Sequence, residues 1–191
     1  MVAAVHDSEY MNDAINFWND VYGFNMESMK EKIRDEVDIV HMPAAALASE
    51  PVPFCHLPLH TIKTQELEFT KPFEVVIEED IDSLDGFLVY FDNYFMPVRE
   101  PLVPADAMAE TFKDPSGKKI AFTTGPRGKE THWRAGLLVV EEDRNEPAKK
   151  GEVIKGEITY KKLQTENSRA YEIAVDWVRN GEKKRQVWYM R

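Results

Sequence analysis

Apolar residues recur with two different periods along this chain, and the change of period divides it. Early on, Met11, Ile15, Trp18 and Tyr22 fall at spacings of four, three and four, one stripe along a helix. Asp7 or Ser8 is placed to cap that helix, Glu9 puts negative charge in its first turn, and Gly23 stops it. Asn25 is placed to cap a second short helix with Met26, Met29 and Ile33 on one face, so residues 7–34 read as a long, thin helical hairpin. From Val37 onward the helical spacing gives way to short β-rich runs separated by turn residues. The expected strands are Val37–His41, Phe54–Thr61, Phe73–Glu79, Gly86–Met96, Lys119–Thr124, Trp133–Glu141, Val153–Lys161, Tyr171–Val178 and Arg185–Tyr189. Alternation is clearest where Tyr171, Ile173, Val175 and Trp177 share one face, and Asn180-Gly181 then supplies a two-residue hairpin turn. Many short strands at this spacing predict a sandwich or a barrel. Pro97–Lys118 interrupts the pattern with four prolines and is expected to be a loop insertion, with one short helix over Asp106–Phe112. At the start, Met1 is followed directly by Val2-Ala3-Ala4-Val5, which reads as a strand continuing from something upstream.

Composition narrows the function classes. Hydrophobic residues make up 43% of the 191 residues, enough for a sizeable core. No apolar run approaches the ~18 residues of a membrane span, and no N-terminal stretch has a signal-peptide layout. The single cysteine, Cys55, excludes an internal disulfide framework and suits a reducing compartment, the cytoplasm with the nucleus also open. The formal net charge of −10 argues against a nucleic-acid partner, and no membrane partner is expected. It suits basic partners, or serves solubility alone. The acid is uneven: Glu74, Glu78, Glu79, Asp80, Asp82, Asp85 and Asp92 lie in a stretch without Lys or Arg, whereas Arg179–Arg191 is basic.

Few residues have the makings of a reactive site. His132 lies between Thr131 and Trp133, just after the polar, glycine-containing run Thr124–Glu130. Loop-to-strand junctions are where a rigid scaffold presents functional groups, and imidazole holds a carboxylate or relays a proton near neutral pH. A histidine satisfied locally beside a tryptophan that seals a barrel end fits the same three letters. Cys55, His56 and His60 do not make a metal site on a strand: the two histidines would stand ~13 Å apart, and Cys55 would face the other way. Cys55 is expected to be a buried structural thiol, and the acidic stretch a solvated face. In the hairpin, Trp18, Val21, Tyr22, Phe24 and Met26 are too bulky for a free-standing element to bury, so it packs on its own barrel or docks on another molecule.

Two segments carry a family resemblance. The run Phe17-Trp18-Asn19-Asp20-Val21-Tyr22-Gly23-Phe24-Asn25-Met26 resembles the arm through which protein arginine methyltransferases dimerise. Thr131-His132-Trp133, preceded by Phe122-Thr123-Thr124-Gly125-Pro126, resembles the family's Thr-His-Trp loop. Gly86–Phe95, with Tyr90-Phe91-Asp92, is similar to its central barrel strand, and Leu67–Phe73 also matches. The likeness covers nearly the whole chain except Pro97–Lys118, follows the type I enzymes, and leans toward the subgroup called protein arginine methyltransferase 3.

The resemblance implies a mainly β fold, an antiparallel jelly-roll-like β-barrel with an N-terminal helical arm and without the Rossmann-like methyltransferase domain. Its expected parts are a remnant link over residues 1–8, the arm over 9–36, and the substrate-cleft barrel over 37–191 with an insertion at 97–118. A parent enzyme of this kind transfers a methyl group in line from S-adenosylmethionine to an arginine of a protein substrate, and works as a homodimer through the arm. The resemblance gives His132 a supporting role, paired with an acid of the N-terminal half, and places Thr131 and Trp133 along the substrate cleft. It assigns the arm to Trp18, Val21, Tyr22, Phe24 and Met26. Neither the glycine-rich cofactor turn nor the paired-glutamate loop is present in this sequence. A fragment inactive by itself, binding no cofactor and no metal, is therefore expected. The alternative is a free-standing β-barrel that binds basic proteins without a catalytic role, or a structural domain acting through its hairpin.

Overall fold

The computed structural model describes residues 1–96, 103–114, 116–118, 120–141, 146–164 and 169–191. Its strands are β1 (Val2–Val5), β2 (Asp38–Val40), β3 (Phe69–Val76), β4 (Gly86–Val89), β5 (Asp92–Tyr94), β6 (Ala121–Thr123), β7 (Ala135–Val139), β8 (Val153–Lys162), β9 (Tyr171–Arg179) and β10 (Glu182–Met190). They form two four-stranded antiparallel sheets, ordered β1-β4-β7-β2 and β10-β9-β8-β3, and a ribbon of β5 with β6. The mainly β, antiparallel architecture with N-terminal helices is the one expected.

Apolar side chains from both sheets meet in one core, which includes Phe73, Phe87, Trp177 and Trp188. Trp188 is fully buried and donates from Nε1 to the Val139 carbonyl at 3.0 Å, which ties the second sheet to the first. A second core lies on the other side of the first sheet. There Ala3, Val5, Leu88, Tyr90, Leu137 and Val139 are covered by Met11 and Ile15 from the base of the arm. β1 is thus buried on both faces, which is why its sequence is apolar without alternation. The strand expected at Val2–Val5 is paired with β4 from Val2↔Val89 to Val5↔Gly86, and its unbroken apolar run has cover on both sides.

Other expectations shift. Phe54–Thr61 is not a strand: Pro53 and Pro58 cannot donate to a ladder, and the Thr61 and Ile62 N–H groups both turn back to the Pro58 carbonyl. Gly86–Met96 is split into β4 and β5. At the break Phe91 N–H reaches the Thr124 hydroxyl at 3.2 Å, and Thr124 N–H reaches the Phe91 carbonyl at 3.0 Å. The strand expected at Phe73–Glu79 begins earlier, at Phe69, because β8 extends to pair with it. Asp106–Phe112 forms consecutive turns and no helix, with Tyr94 Oη donating to the Ala107 carbonyl at 2.8 Å. Residues 97–102 and 115 of the expected insertion lie outside the described residues. The hairpin turn at Asn180-Gly181 is as expected, both residues having positive φ, 52° and 80°.

Candidate functional site

Strand alternation builds an aromatic shelf at one end of the barrel. Phe91 and Phe95 bracket β5, and Phe122 of β6 lies opposite Asn93. Phe122 stacks on Phe95 at 5.9 Å and on Trp133 at 5.7 Å, and Phe91 meets Trp133 edge-on at 6.1 Å. His132 lies against the Trp133 ring at 3.9 Å. His132 is exposed and Trp133 is 47% exposed, so the pair does not plug a barrel end. Among the described residues His132 has no hydrogen bond or ion pair. Thr131 Oγ1 donates to the Trp133 carbonyl at 2.9 Å and shapes the turn.

The loop before it is clamped. Arg127 grips Glu50 with two hydrogen bonds, 2.5 and 2.6 Å, which holds the Glu50 carboxyl below its ordinary range. His41 Nε2 lies 3.2 Å from Glu130. A side chain at Gly125 would come within 2.4 Å of the Tyr90 ring, so glycine lets the loop lie flat on the barrel. A small pocket of about 190 Å³ lies beside this loop, lined by His41, Gly125, Thr131 and Trp133 among others.

The arm begins at Asp7, whose side chain accepts from Tyr10 N–H at 2.9 Å. Helical residues run without a break from Ser8 to Asn19, but only Ser8–Tyr10 (α1) is α-helical; Met11–Ile15 widens to a π-helix and Asn16–Asn19 tightens to a 3₁₀-helix. Glu27–Met29 and α2 (Lys30–Asp35) return. The expected single stripe is therefore divided: Met11 and Ile15 are buried, Trp18 is half-buried, and Tyr22 is 96% exposed. At the tip Val21 and Phe24 exchange backbone hydrogen bonds of 2.9 and 3.1 Å around Tyr22 and Gly23. Tyr22 takes a left-handed φ of 54°, unusual for an aromatic residue. Phe24 is 71% exposed, Val21 and Met26 are half-buried. The base of the arm packs on its own barrel, and its tip is bare.

A larger cleft, about 970 Å³, opens between the 53–60 loop, β5 and the 103–114 segment. Cys55 and His56 line it. Cys55 is half-buried, and burial pushes its thiol up from the ordinary value. Sequence reasoning overlooked three features. One is the Glu50–Arg127 clamp, which joins residues far apart in the chain. Another is the shelf, although the Phe91–Asn93–Phe95 alternation was visible. The last is Asp85, assigned to a solvated face. It is buried, and it accepts from Asp7 N–H at 2.8 Å and Ser83 Oγ at 2.7 Å, securing the start of the arm.

Comparisons with known proteins converge. Residues 1–182 match the family described as the arginine methyltransferase oligomerization subdomain. The ribosomal protein arginine N-methyltransferase rmt3 of Schizosaccharomyces pombe is 33% identical over 191 residues, all of this chain and 33% of that protein. Protein arginine N-methyltransferase 1 of the same yeast is 29% identical over 179 residues, 94% of this chain and 46% of its own length. Among solved structures, a chain of the Trypanosoma brucei PRMT1 enzyme–prozyme heterotetrameric complex with AdoHcy superposes with a TM-score of 0.79 at 19% identity, covering all of this chain and 55% of that one. Arabidopsis thaliana protein arginine methyltransferase 10 gives 0.68 at 16% identity, covering all of this chain and 58% of that one. The chain spans a third to just under half of the curated relatives it matches.

Proposed function

The chain belongs to the arginine methyltransferase oligomerization subdomain family, and on that premise we propose that it is the barrel and dimerisation arm of a longer, S-adenosylmethionine-dependent protein arginine N-methyltransferase of type I. Thr131, His132 and Trp133 form one wall of the cleft that receives the substrate arginine. The observation that carries this reading is the presentation of His132 and Trp133: exposed, backed by stacked rings, on a loop clamped by Glu50 and Arg127. Such a support fixes a positioning group without hiding it, as methyl transfer between two bound partners requires. The bare tip, with Trp18, Val21, Tyr22, Phe24 and Met26, docks on a second copy of the longer protein.

S-adenosylmethionine does not fit the residues present. Every named strand pair among the described residues is antiparallel, so there is no βαβ crevice of the dinucleotide-binding kind. The one closely spaced glycine pair in a loop, Gly125 and Gly128, is packed against Tyr90 and Thr123, leaving no cradle. We assign cofactor binding and methyl transfer to a part of the longer protein outside these residues.

The test is His132→Ala in the longer protein. Loss of one positioning contact should lower turnover ten- to a thousandfold, or ~1.4–4 kcal/mol of barrier. The melting temperature should stay put, since the side chain fills no core. A variant that melts far below wild type yet keeps its specific activity once folded would make His132 a structural residue.

A further inference from the structure

Lysines are seldom buried unless paired, because a long stem lets the ammonium reach water. Lys30 is 6% exposed, although it belongs to the arm and not to the barrel. Its ammonium donates to Asn19 Oδ1, 11 residues earlier, and lies 3.7 Å from the Glu27 carboxylate. Glu27 stands on the returning leg of the arm with Lys30, whereas Asn19 ends the outgoing leg. The bond to Asn19 therefore ties the two legs together. Asn19 is also where the tip departs: the 3₁₀-helix Asn16–Asn19 stops there, and Asp20 is extended with φ −145°. Main-chain links continue outward from this point. Met26 N–H donates to the Trp18 carbonyl at 3.0 Å, and Asp20 accepts from Gly23 N–H at 2.7 Å within the turn.

We propose that Lys30 is a positioning residue for self-association. It holds the end of the outgoing leg against the start of α2, so the bare tip is presented in one form before a second copy arrives. This rests on the reading above that the tip docks on a second copy. The pair forms within one chain, so it is in place before docking. Lys30 itself is buried, and a partner meets Tyr22 and Phe24 instead, 96% and 71% exposed. Without the bond, the point from which the tip departs is freed, and ordering it again opposes association. A tip ordered beforehand docks without that loss. Solubility of the arm requires no such arrangement, since an outward lysine serves it without desolvating the ammonium.

The test is Lys30→Met, which keeps an unbranched side chain and removes its donors, beside Asn19→Ala, which removes the acceptor from an exposed residue. In both variants of the 191-residue chain, hydrogen exchange at the Phe24 and Met26 amides should quicken about fivefold or more. Sedimentation velocity on the longer protein should show each variant weakening the dimer about tenfold or more, and the double variant weakening it no further than the worse single one. The melting temperature of the barrel should stay unchanged. If Lys30→Met lowers it, Asn19→Ala carries the test. Tyr22→Asn in the same assay separates two failures. A dimer that yields to Tyr22→Asn but to neither of the other variants overturns the positioning role and leaves the arm reading standing. A dimer that yields to none of the three overturns both. A weaker dimer with unchanged exchange at the tip would mean that Lys30 meets the partner itself, and additive losses would mean that Lys30 and Asn19 act separately. Either result overturns the proposal.

Discussion

Replacing Tyr22 by asparagine should move the order of the arm and its association in opposite directions. Tyr22 sits at the tip with φ 54° and 96% exposure, so its ring gains little from the chain it belongs to. The left-handed conformation costs an ordinary residue ~1–2 kcal/mol, and asparagine adopts it more readily. The substitution should stabilise the turn by ~1 kcal/mol. Because the turn is closed by the Val21–Phe24 hydrogen bonds, the gain is local. It should slow exchange of the Val21 and Phe24 amides about fivefold. In the longer protein the same ring is proposed to be buried against a second copy. Burying one large apolar side chain contributes ~1.5–3 kcal/mol, and a two-fold dimer contains two such contacts. Tyr22→Asn should therefore weaken dimerisation by ~3–6 kcal/mol, about a hundred- to ten-thousandfold. Hydrogen exchange on the chain and sedimentation velocity on the longer protein measure the two effects. Faster exchange at Val21 and Phe24 would refute the conformational argument, and an unchanged dimer constant would remove Tyr22 from the interface.

Trp188→Ala should cost ~3–5 kcal/mol in denaturant unfolding, since the indole is fully buried between the sheets; a loss below ~1.5 kcal/mol would mean that the core collapses around the gap. Gly125→Ala should destabilise by ~1–3 kcal/mol, because the new methyl meets the Tyr90 ring at 2.4 Å, and should shift the Trp133 indole resonance; unchanged melting would show that Tyr90 swings aside freely. The hydrogen bond from Arg127 depresses the Glu50 carboxyl, so the folded value lies below the unfolded one. The clamp's contribution is present above the unfolded value and lost as pH falls through the folded one. For so exposed a pair it amounts to at most ~1 kcal/mol. Glu50→Gln should be less stable than wild type at neutral pH and equal to it in acid, and a stability difference independent of pH would exclude the clamp as its source.

Local pattern determined much of this protein. The alternation over Tyr171–Trp177 and the Asn180-Gly181 pair specify β9, its turn and the start of β10, because period and turn chemistry are properties of adjacent residues. The arm and Thr-His-Trp motifs were readable for the same reason, being contiguous, and with them the family. Tertiary structure decided what depends on a distant partner. Val2–Val5 is a strand of the barrel because β4 lies on one edge and cores lie on both faces. Phe54–Thr61 has strand-like composition but no strand neighbour among the described residues, and Pro58 has no N–H to give a ladder. Met11 and Ile15 are covered while Tyr22 is bare, although all three lie on one periodic stripe, because the first sheet reaches only the base of the arm. Glu50 and Arg127, or Asp7 and Asp85, become partners only once the chain has closed. Sequence specifies which faces must be buried. Which neighbour buries them is fixed by the balance of all contacts at once, and that balance exists only in the folded chain.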